Sequence, residues 1–225
     1  MKHLVVLSGA GISAESGIST FRGQDGLWEG HSIEEVASPE GFLQNPKLVL
    51  DFYNKRRAQL KEVAPNAAHL GLKALEQHFK VSIITQNVDD LHERAGSKNV
   101  YHLHGKLRSV RTQNFCCTLP LQDDLNIGDT CLHGNQLRPD IVWFGEAVPM
   151  IEEAISICNT ADVLLIIGTS LQVYPAASLM DYIPENCKSF YIDPGIQNIP
   201  NNITHLQTTA TEGLKGLMQA LVALR

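Results

Sequence analysis

Gly9-Ala10-Gly11-Ile12-Ser13-Ala14-Glu15-Ser16-Gly17 constrains this chain more than any other stretch. It follows Leu4-Val5-Val6-Leu7, a short run rich in β-branched residues that reads as a buried parallel strand. Gly9, Gly11 and Ala14 fit the spacing G-x-G-x-x-G/A. A turn of that kind lets the backbone approach a pyrophosphate, with the anion on free N–H groups at a helix N-terminus. A glycine turn after a strand can equally be a plain connector. The continuation Ile18-Ser19-Thr20-Phe21-Arg22-Gly23 favours the first reading, because an aromatic and an Arg there are placed to cover a bound nucleotide.

The chain of 225 residues has room for one large domain, or one with a smaller module inserted. A net charge of −6 argues against a general nucleic-acid binder. The longest apolar run, Val163 to Ile167, is far short of a membrane span, and the start of the chain does not read as a signal peptide. The five cysteines are odd in number and suggest no disulfide framework. The expectation is a soluble, cytoplasmic protein.

Gln24 to Gly30 reads as a mobile flap around Leu27 and Trp28. Residues 32–62 read as helical with breaks at Pro39 and Pro46, and a further helix runs from Pro65-Asn66 to Phe79 on Ala68, Leu70, Leu72, Leu75 and Phe79. A plain dinucleotide fold would place its second strand about 20 residues after the loop. None is visible before Val81, so the helical stretch is read as part of an inserted module. Val81 to Thr85 is a strand whose carboxyl edge carries Gln86-Asn87-Val88-Asp89. A short extended piece then ends in His104-Gly105, and Asp140 to Glu146 reads as a strand and turn. Asp162 to Ile167 is the clearest central strand and runs into Gly168-Thr169-Ser170. Ser189–Asp193 and Ile203–Leu206 are further strands, with a closing amphipathic helix from Thr211.

The glycine loop, Thr85-Gln86-Asn87-Val88-Asp89, His104-Gly105, Val142-Trp143-Phe144-Gly145-Glu146 and Gly168-Thr169-Ser170 occur in one order. In them the sequence resembles the sirtuins, NAD-dependent protein-lysine deacylases. The resemblance runs over nearly the whole chain. It implies an α/β architecture with a Rossmann-like NAD domain (1–30, 81–105 and 139–225). A small inserted domain (31–80 and 106–138) would combine a helical segment with a degenerate zinc-ribbon-like segment.

The resemblance also implies a chemistry. Nicotinamide leaves NAD as the acyl oxygen of a modified lysine attacks the ribose, a base activates a ribose hydroxyl, and the acyl group ends on ADP-ribose. His104 is the implied base, and an imidazole suits a proton transfer near neutral pH. Gly9, Ala10, Gly11, Phe21, Arg22 and Trp28 match the NAD loop and flap. Gln86, Asn87 and Asp89 match the nicotinamide and ribose side, although Asp89 could equally cap the following helix. Gly168, Thr169 and Ser170 match the second phosphate and ribose site. Asp193 stands where many members have Asn, and Ala210 is placed near the adenine. Val142, Trp143, Phe144 and Gly145 match the segment that pairs with substrate peptide, a mode that reads backbone more than sequence.

Tyr53 and Arg56 lie three apart on a helix and share a face. A guanidinium grips a carboxylate through two hydrogen bonds, and a phenol can add one. The pair looks like that of the sirtuin subgroup that removes succinyl and malonyl groups. The bland alternative is a solvated basic face, since Lys55 and Arg57 flank Arg56.

Many sirtuins bind structural zinc through two Cys-x-x-Cys pairs, and this chain departs from that. Thr112 and Phe115 fall near the first pair and Thr130 and His133 near the second. Cys116, Cys117, Cys131 and His133 could make a four-ligand site only if adjacent cysteines both served one ion, which is strained. Zinc stays open, and without it hydrophobic contacts must hold residues 106–138. Rival readings are an NAD-dependent ADP-ribosyltransferase, a hydride-transferring dehydrogenase and a catalytically silent NAD-binding module.

Overall fold

The computed structural model describes residues 1–20, 28–114, 117–195 and 200–225. Six strands form a parallel sheet: β1 (His3–Ser8), β2 (Lys80–Thr85), β3 (Val100–His102), β7 (Val163–Ile167), β8 (Lys188–Ile192) and β9 (Ile203–Leu206). Their order is β3-β2-β1-β7-β8-β9. Counted within this sheet, that is the 3-2-1-4-5-6 order of dinucleotide-binding folds, and it reverses between β1 and β7.

Side-chain alternation explains why the central strands are apolar throughout. Leu4 and Val6 of β1, with Val163, Leu165 and Ile167 of β7, face α5 (Ala67–Leu75) and α8 (Ala210–Val222). Val5, Leu7, Leu164 and Ile166 point to the opposite face, towards α7 (Ile151–Cys158) and a 3-10 turn (Ala176–Tyr182). In register, Val6 lies between Ile83 of β2 and Leu165 of β7.

The second sheet is antiparallel, in the order β5-β4-β6, from β4 (Gly105–Thr112), β5 (Thr118–Pro120) and β6 (Leu137–Ile141). Beside it lie α2 (Ile33–Val36), α3 (Pro39–Gln44) and α4 (Pro46–Glu62). The two prolines that interrupt the helical pattern stand at the first turns of new helices. Ser38 caps one, accepting the Gly41 N–H at 2.9 Å, and Asn45 caps the other, accepting the Leu48 N–H at 3.1 Å.

Two local expectations change. Helix α5 packs on the large sheet through Ala68, Leu72 and Leu75 rather than with the other helices of 31–80, and Leu70 is exposed. The amphipathic pattern specified a buried face but not which sheet would cover it. The strand and turn read over Asp140 to Glu146 are both present: the strand ends at Ile141, and Glu146 folds the chain back by accepting the Trp143 N–H at 2.8 Å. Residues 137–138, assigned to the small module, and 139–141, assigned to the large one, form a single strand of the small sheet.

Around β4 and β6, Leu50, Val110, Leu125, Cys131 and Leu137 make a hydrophobic cluster. Asn54 ties α4 to it, donating to the Leu125 carbonyl at 3.0 Å and accepting the Leu125 N–H at 2.9 Å. Among the described residues no group of His, Cys, Asp or Glu is placed to hold a metal, and Cys116 lies outside them. Cys131 packs in the apolar cluster, with the Asn135 side-chain amide 3.8 Å from its sulfur.

Candidate active site

A cleft of about 690 Å³ opens at the carboxyl edge of the large sheet, where the strand order reverses. That is the place at which open α/β sheets bind ligands, and the volume is that of a small-molecule site. Two glycine turns form its floor. The Gly11 N–H donates to the Gly168 carbonyl at 2.8 Å, and the Gly9 N–H to the Ile167 carbonyl at 3.2 Å. Gly168 has φ +64°, and a Cβ on it would collide with the backbone of Gly11 and Ile12. The glycines thus let two loops from distant parts of the chain interlock.

Gly9, Ala10, Gly11, Gln86, Asn87, Asp89, Gly168, Thr169, Ser170, Asp193 and Ala210 all line this cleft. So do Trp28, His104, Tyr53, Arg56, Val142, Trp143, Phe144 and Gly145. Phe21 and Arg22 lie outside the described residues.

Polar contacts set the geometry. Gln86 donates its side-chain amide to Thr169 Oγ1 at 2.9 Å, linking the ends of β2 and β7. Asn87 Nδ2 donates to Ser13 Oγ at 3.1 Å, and that hydroxyl donates to Asp89 Oδ2 at 2.9 Å. The other Asp89 oxygen accepts the Leu91 N–H at 3.1 Å, so Asp89 makes the capping bond and still lines the cleft. Burial raises its carboxyl above the ordinary range, against the pull of the Leu91 N–H and the Ser13 hydroxyl. Ser13 was not singled out from sequence; its signal was its place inside the glycine loop.

His104 follows β3 and precedes β4. Its Nδ1 lies 3.1 Å from the Gln86 carbonyl, which can only accept, so Nδ1 carries the proton and Nε2 is left basic. Burial lowers the ring's pKa, opposed in part by the Gln86 carbonyl. Gly105 has φ +83°, and a Cβ there would run into the Asp140 carbonyl, so the glycine of His-Gly serves the pairing of β4 with β6. His102 has a different place: it is buried, with one ring nitrogen 2.8 Å from the Asn87 carbonyl and the other 2.8 Å from Glu93 Oε1.

On the opposite wall, α4 presents Tyr53 and Arg56. Trp143 Nε1 donates to the buried Tyr53 hydroxyl at 2.9 Å, leaving the phenol's own hydrogen to donate. Burial first of all raises the Tyr53 pKa, so the phenol stays protonated. The helix is no solvated basic face. Lys55 is exposed, but Arg57 is buried against Asn54 and the Leu107 carbonyl, and burial lowers its pKa to about 10. Arg56 pairs with Glu29 at 2.8 Å.

Behind Trp143, Glu146 accepts from Arg138 at 2.7 and 3.0 Å and from Arg111 at 3.1 and 3.0 Å. Burial opposes ionisation of Glu146, but the Arg138 hydrogen bonds, the Trp143 N–H and the two guanidinium charges outweigh it and hold the carboxyl below the ordinary range. This buried charge cluster fixes the turn Val142-Trp143-Phe144-Gly145. The segment is tied on either side by Val142 N–H to the His104 carbonyl at 3.0 Å and Phe144 N–H to the Ala37 carbonyl at 2.9 Å.

A Rossmann-like sheet, an antiparallel small sheet and a cleft between them define a nucleotide-dependent α/β enzyme architecture. The Sir2 family profile matches residues 9–175, and the chain belongs to that family. It is 57% identical, over 100% of its own length and 99% of the other's, to an NAD-dependent protein deacylase of Helicobacter pylori (strain ATCC 700392 / 26695). A crystal structure of a Sir2 homolog–NAD complex superposes with a TM-score of 0.89 at 39% identity, covering 100% of this chain and 91% of that one. A Sir2–p53 peptide–NAD+ structure superposes with a TM-score of 0.81 at 29% identity, covering 96% and 92%.

The cleft fits NAD on its own chemistry. Two interlocked glycine turns give close backbone approach at the switch point, and Gln86, Asn87, Asp89, Thr169 and Ser170 supply donors and acceptors around it.

Proposed function

We propose that this chain removes acidic acyl groups, succinyl and malonyl, as well as acetyl from protein lysines. The broader activity is that of an NAD-dependent protein deacylase, as in its family and its relatives at half identity or more. The observation that carries the finer reading is the placing of Arg56 and Tyr53 on the same cleft as His104. Arg56 Nε is buried and makes no hydrogen bond among the described residues, and the Tyr53 hydroxyl has a hydrogen to give. A buried unpaired donor is costly, and an acyl carboxylate would satisfy both groups.

The residues divide the work as follows. Bound NAD supplies an activated ribose carbon and nicotinamide as leaving group. Gly9, Ala10, Gly11, Gly168, Thr169 and Ser170 hold its phosphates and one ribose, with Asp193 and Ala210 at the adenosine end. Trp28 covers it, and Phe21 and Arg22, outside the described residues, are assigned to the same cover by the sequence resemblance alone. Asn87 and Asp89, braced by Ser13, orient the nicotinamide side, and Gln86 keeps the His104 ring turned by its carbonyl. His104 Nε2 takes the proton of a ribose hydroxyl. Val142, Trp143, Phe144 and Gly145 receive the peptide and lysine stem. No helix among the described residues is long and apolar enough to cross a membrane. We place the protein in the cytoplasm, acting on acyl-lysine proteins rather than nucleic acid or membrane.

The test uses purified protein, NAD and matched acetyl-, malonyl- and succinyl-lysine peptides. Arg56→Met is expected to lower desuccinylation about 100-fold, the scale of a charge-assisted bidentate pair, and deacetylation only a few-fold. Equal loss of both activities overturns the carboxylate role. Labelled ADP-ribose attached to protein, without acylated ADP-ribose, would point to the transferase instead.

A further inference from the structure

Residues 28–31 form a tight turn. Trp28 N–H donates to the His31 carbonyl at 2.9 Å, and His31 N–H to the Trp28 carbonyl at 3.1 Å. The two central residues both have positive φ, 52° at Glu29 and 82° at Gly30, as a type I′ turn demands. Glycine suits the first of these positions for want of a Cβ, and asparagine or aspartate offsets the Cβ penalty with a short side chain that bonds locally, whereas a glutamate carries the penalty without that compensation. A residue kept at a disfavoured backbone position calls for a reason outside the turn.

Its side chain supplies one. Glu29 Oε1 lies 2.8 Å from Arg56 Nη1, with the two side chains 29% and 17% exposed. The turn is seated on the helix that carries Arg56: Trp28 meets the Phe52 ring edge-on at 4.8 Å and the Tyr53 ring at 6.0 Å, and His31 meets Phe52 at 5.7 Å. Arg56 itself lies over the Phe52 ring, 5.4 Å from its centroid. The pair is close but not aligned as a hydrogen bond, and Arg56 Nε stays unpaired among the described residues. Such a contact holds a charge without saturating it. Both side chains line the cleft that also holds His104.

We propose that Glu29 is a built-in stand-in for the acyl carboxylate: it neutralises Arg56 when the bound acyl group is neutral and yields the guanidinium to a succinyl or malonyl carboxylate. The proposal rests on the reading of Arg56 given above and adds a second residue that sets selectivity. An acetyl methyl against an unpaired, largely buried guanidinium would be unfavourable, and Glu29 removes that penalty. A succinyl carboxylate must displace Glu29, so part of its pairing energy is spent on exchange. One cleft can then accept both acyl classes, at the cost of a weaker preference for the acidic one.

The experiment measures kcat/KM for succinyl- and acetyl-lysine peptides at saturating NAD with the full chain. It compares the native protein, Glu29→Gln, Glu29→Gly, Arg56→Met and the Glu29→Gln/Arg56→Met double variant. Glu29→Gly keeps the turn's backbone at ease, so both Glu29 variants test the carboxylate with the turn either strained or relaxed. The succinyl-to-acetyl ratio is expected to rise about fivefold in each Glu29 variant, mainly through a lower succinyl KM, the scale of a partly exposed ion pair. In the Arg56→Met background, Glu29→Gln is expected to leave the ratio unmoved. A ratio that stays flat or falls in both Glu29 variants, while Arg56→Met lowers it, overturns the Glu29 proposal and leaves the Arg56 reading standing. A ratio that Arg56→Met leaves unchanged overturns both.

Discussion

The His104 ring is turned by the backbone of Gln86, through an Nδ1–H bond of 3.1 Å to a carbonyl that can only accept. The residue at the end of β2 therefore decides which nitrogen of the ring is basic. Its own side chain is used elsewhere, on Thr169.

Because burial lowers the His104 pKa from its ordinary value of 6.5, the neutral ring persists below that pH. The acidic limb of kcat/KM against pH is expected to have its midpoint below 6.5. His104→Ala should lower kcat by about 100- to 10,000-fold and abolish that limb. A limb centred well above the ordinary imidazole value would contradict the assignment.

Tyr53→Phe leaves Trp143 Nε1 buried without its acceptor. The expected loss of stability is about 1–3 kcal/mol, read by chemical denaturation. If the phenol also donates to an acyl carboxylate, the variant raises KM for succinyl-lysine more than for acetyl-lysine. A stability loss with equal KM changes would assign Tyr53 to packing alone.

Two buried histidines tie stability to pH. His69 and His92 meet with ring centroids 4.9 Å apart, and burial lowers their pKa values to about 4 and about 3. In the unfolded chain each takes a proton near 6.5, which the folded protein refuses. Their contribution is therefore complete above 6.5 and is lost as pH falls towards 4. The slope should reach about 1.4 kcal/mol per pH unit for each histidine. Denaturation midpoints between pH 7 and pH 4 (about one reading every half unit) check this, and His92→Asn should remove about half of the slope.

Much of this arrangement was legible because the controlling physics is local. Leu4 to Leu7 and Val163 to Ile167 are apolar at every position because both faces of the sheet are covered. Pro39 and Pro46 were legible as breaks in the helical stretch, and each stands in the first turn of a new helix, where proline costs least. Hidden from sequence was whatever depended on a distant partner. Ala68, Leu72 and Leu75 show a buried stripe, but only the fold says that it meets the large sheet. Arg56 and Arg57 are adjacent and chemically alike, yet one lines the cleft and the other is buried against Asn54. Glu29 looked like part of a polar flap, because nothing near it in sequence announces Arg56.

The interlocked glycine turns have a bearing on biosynthesis. The Gly11 N–H is satisfied by a carbonyl that leaves the ribosome much later, after the whole small sheet and β7 have been made. The first loop therefore emerges early and waits, the floor of the cleft unfinished until the far strand docks. The cleft is in this sense a late-folding, long-range property of the chain, and an incomplete nascent polypeptide that already carries the glycine loop has half of its floor.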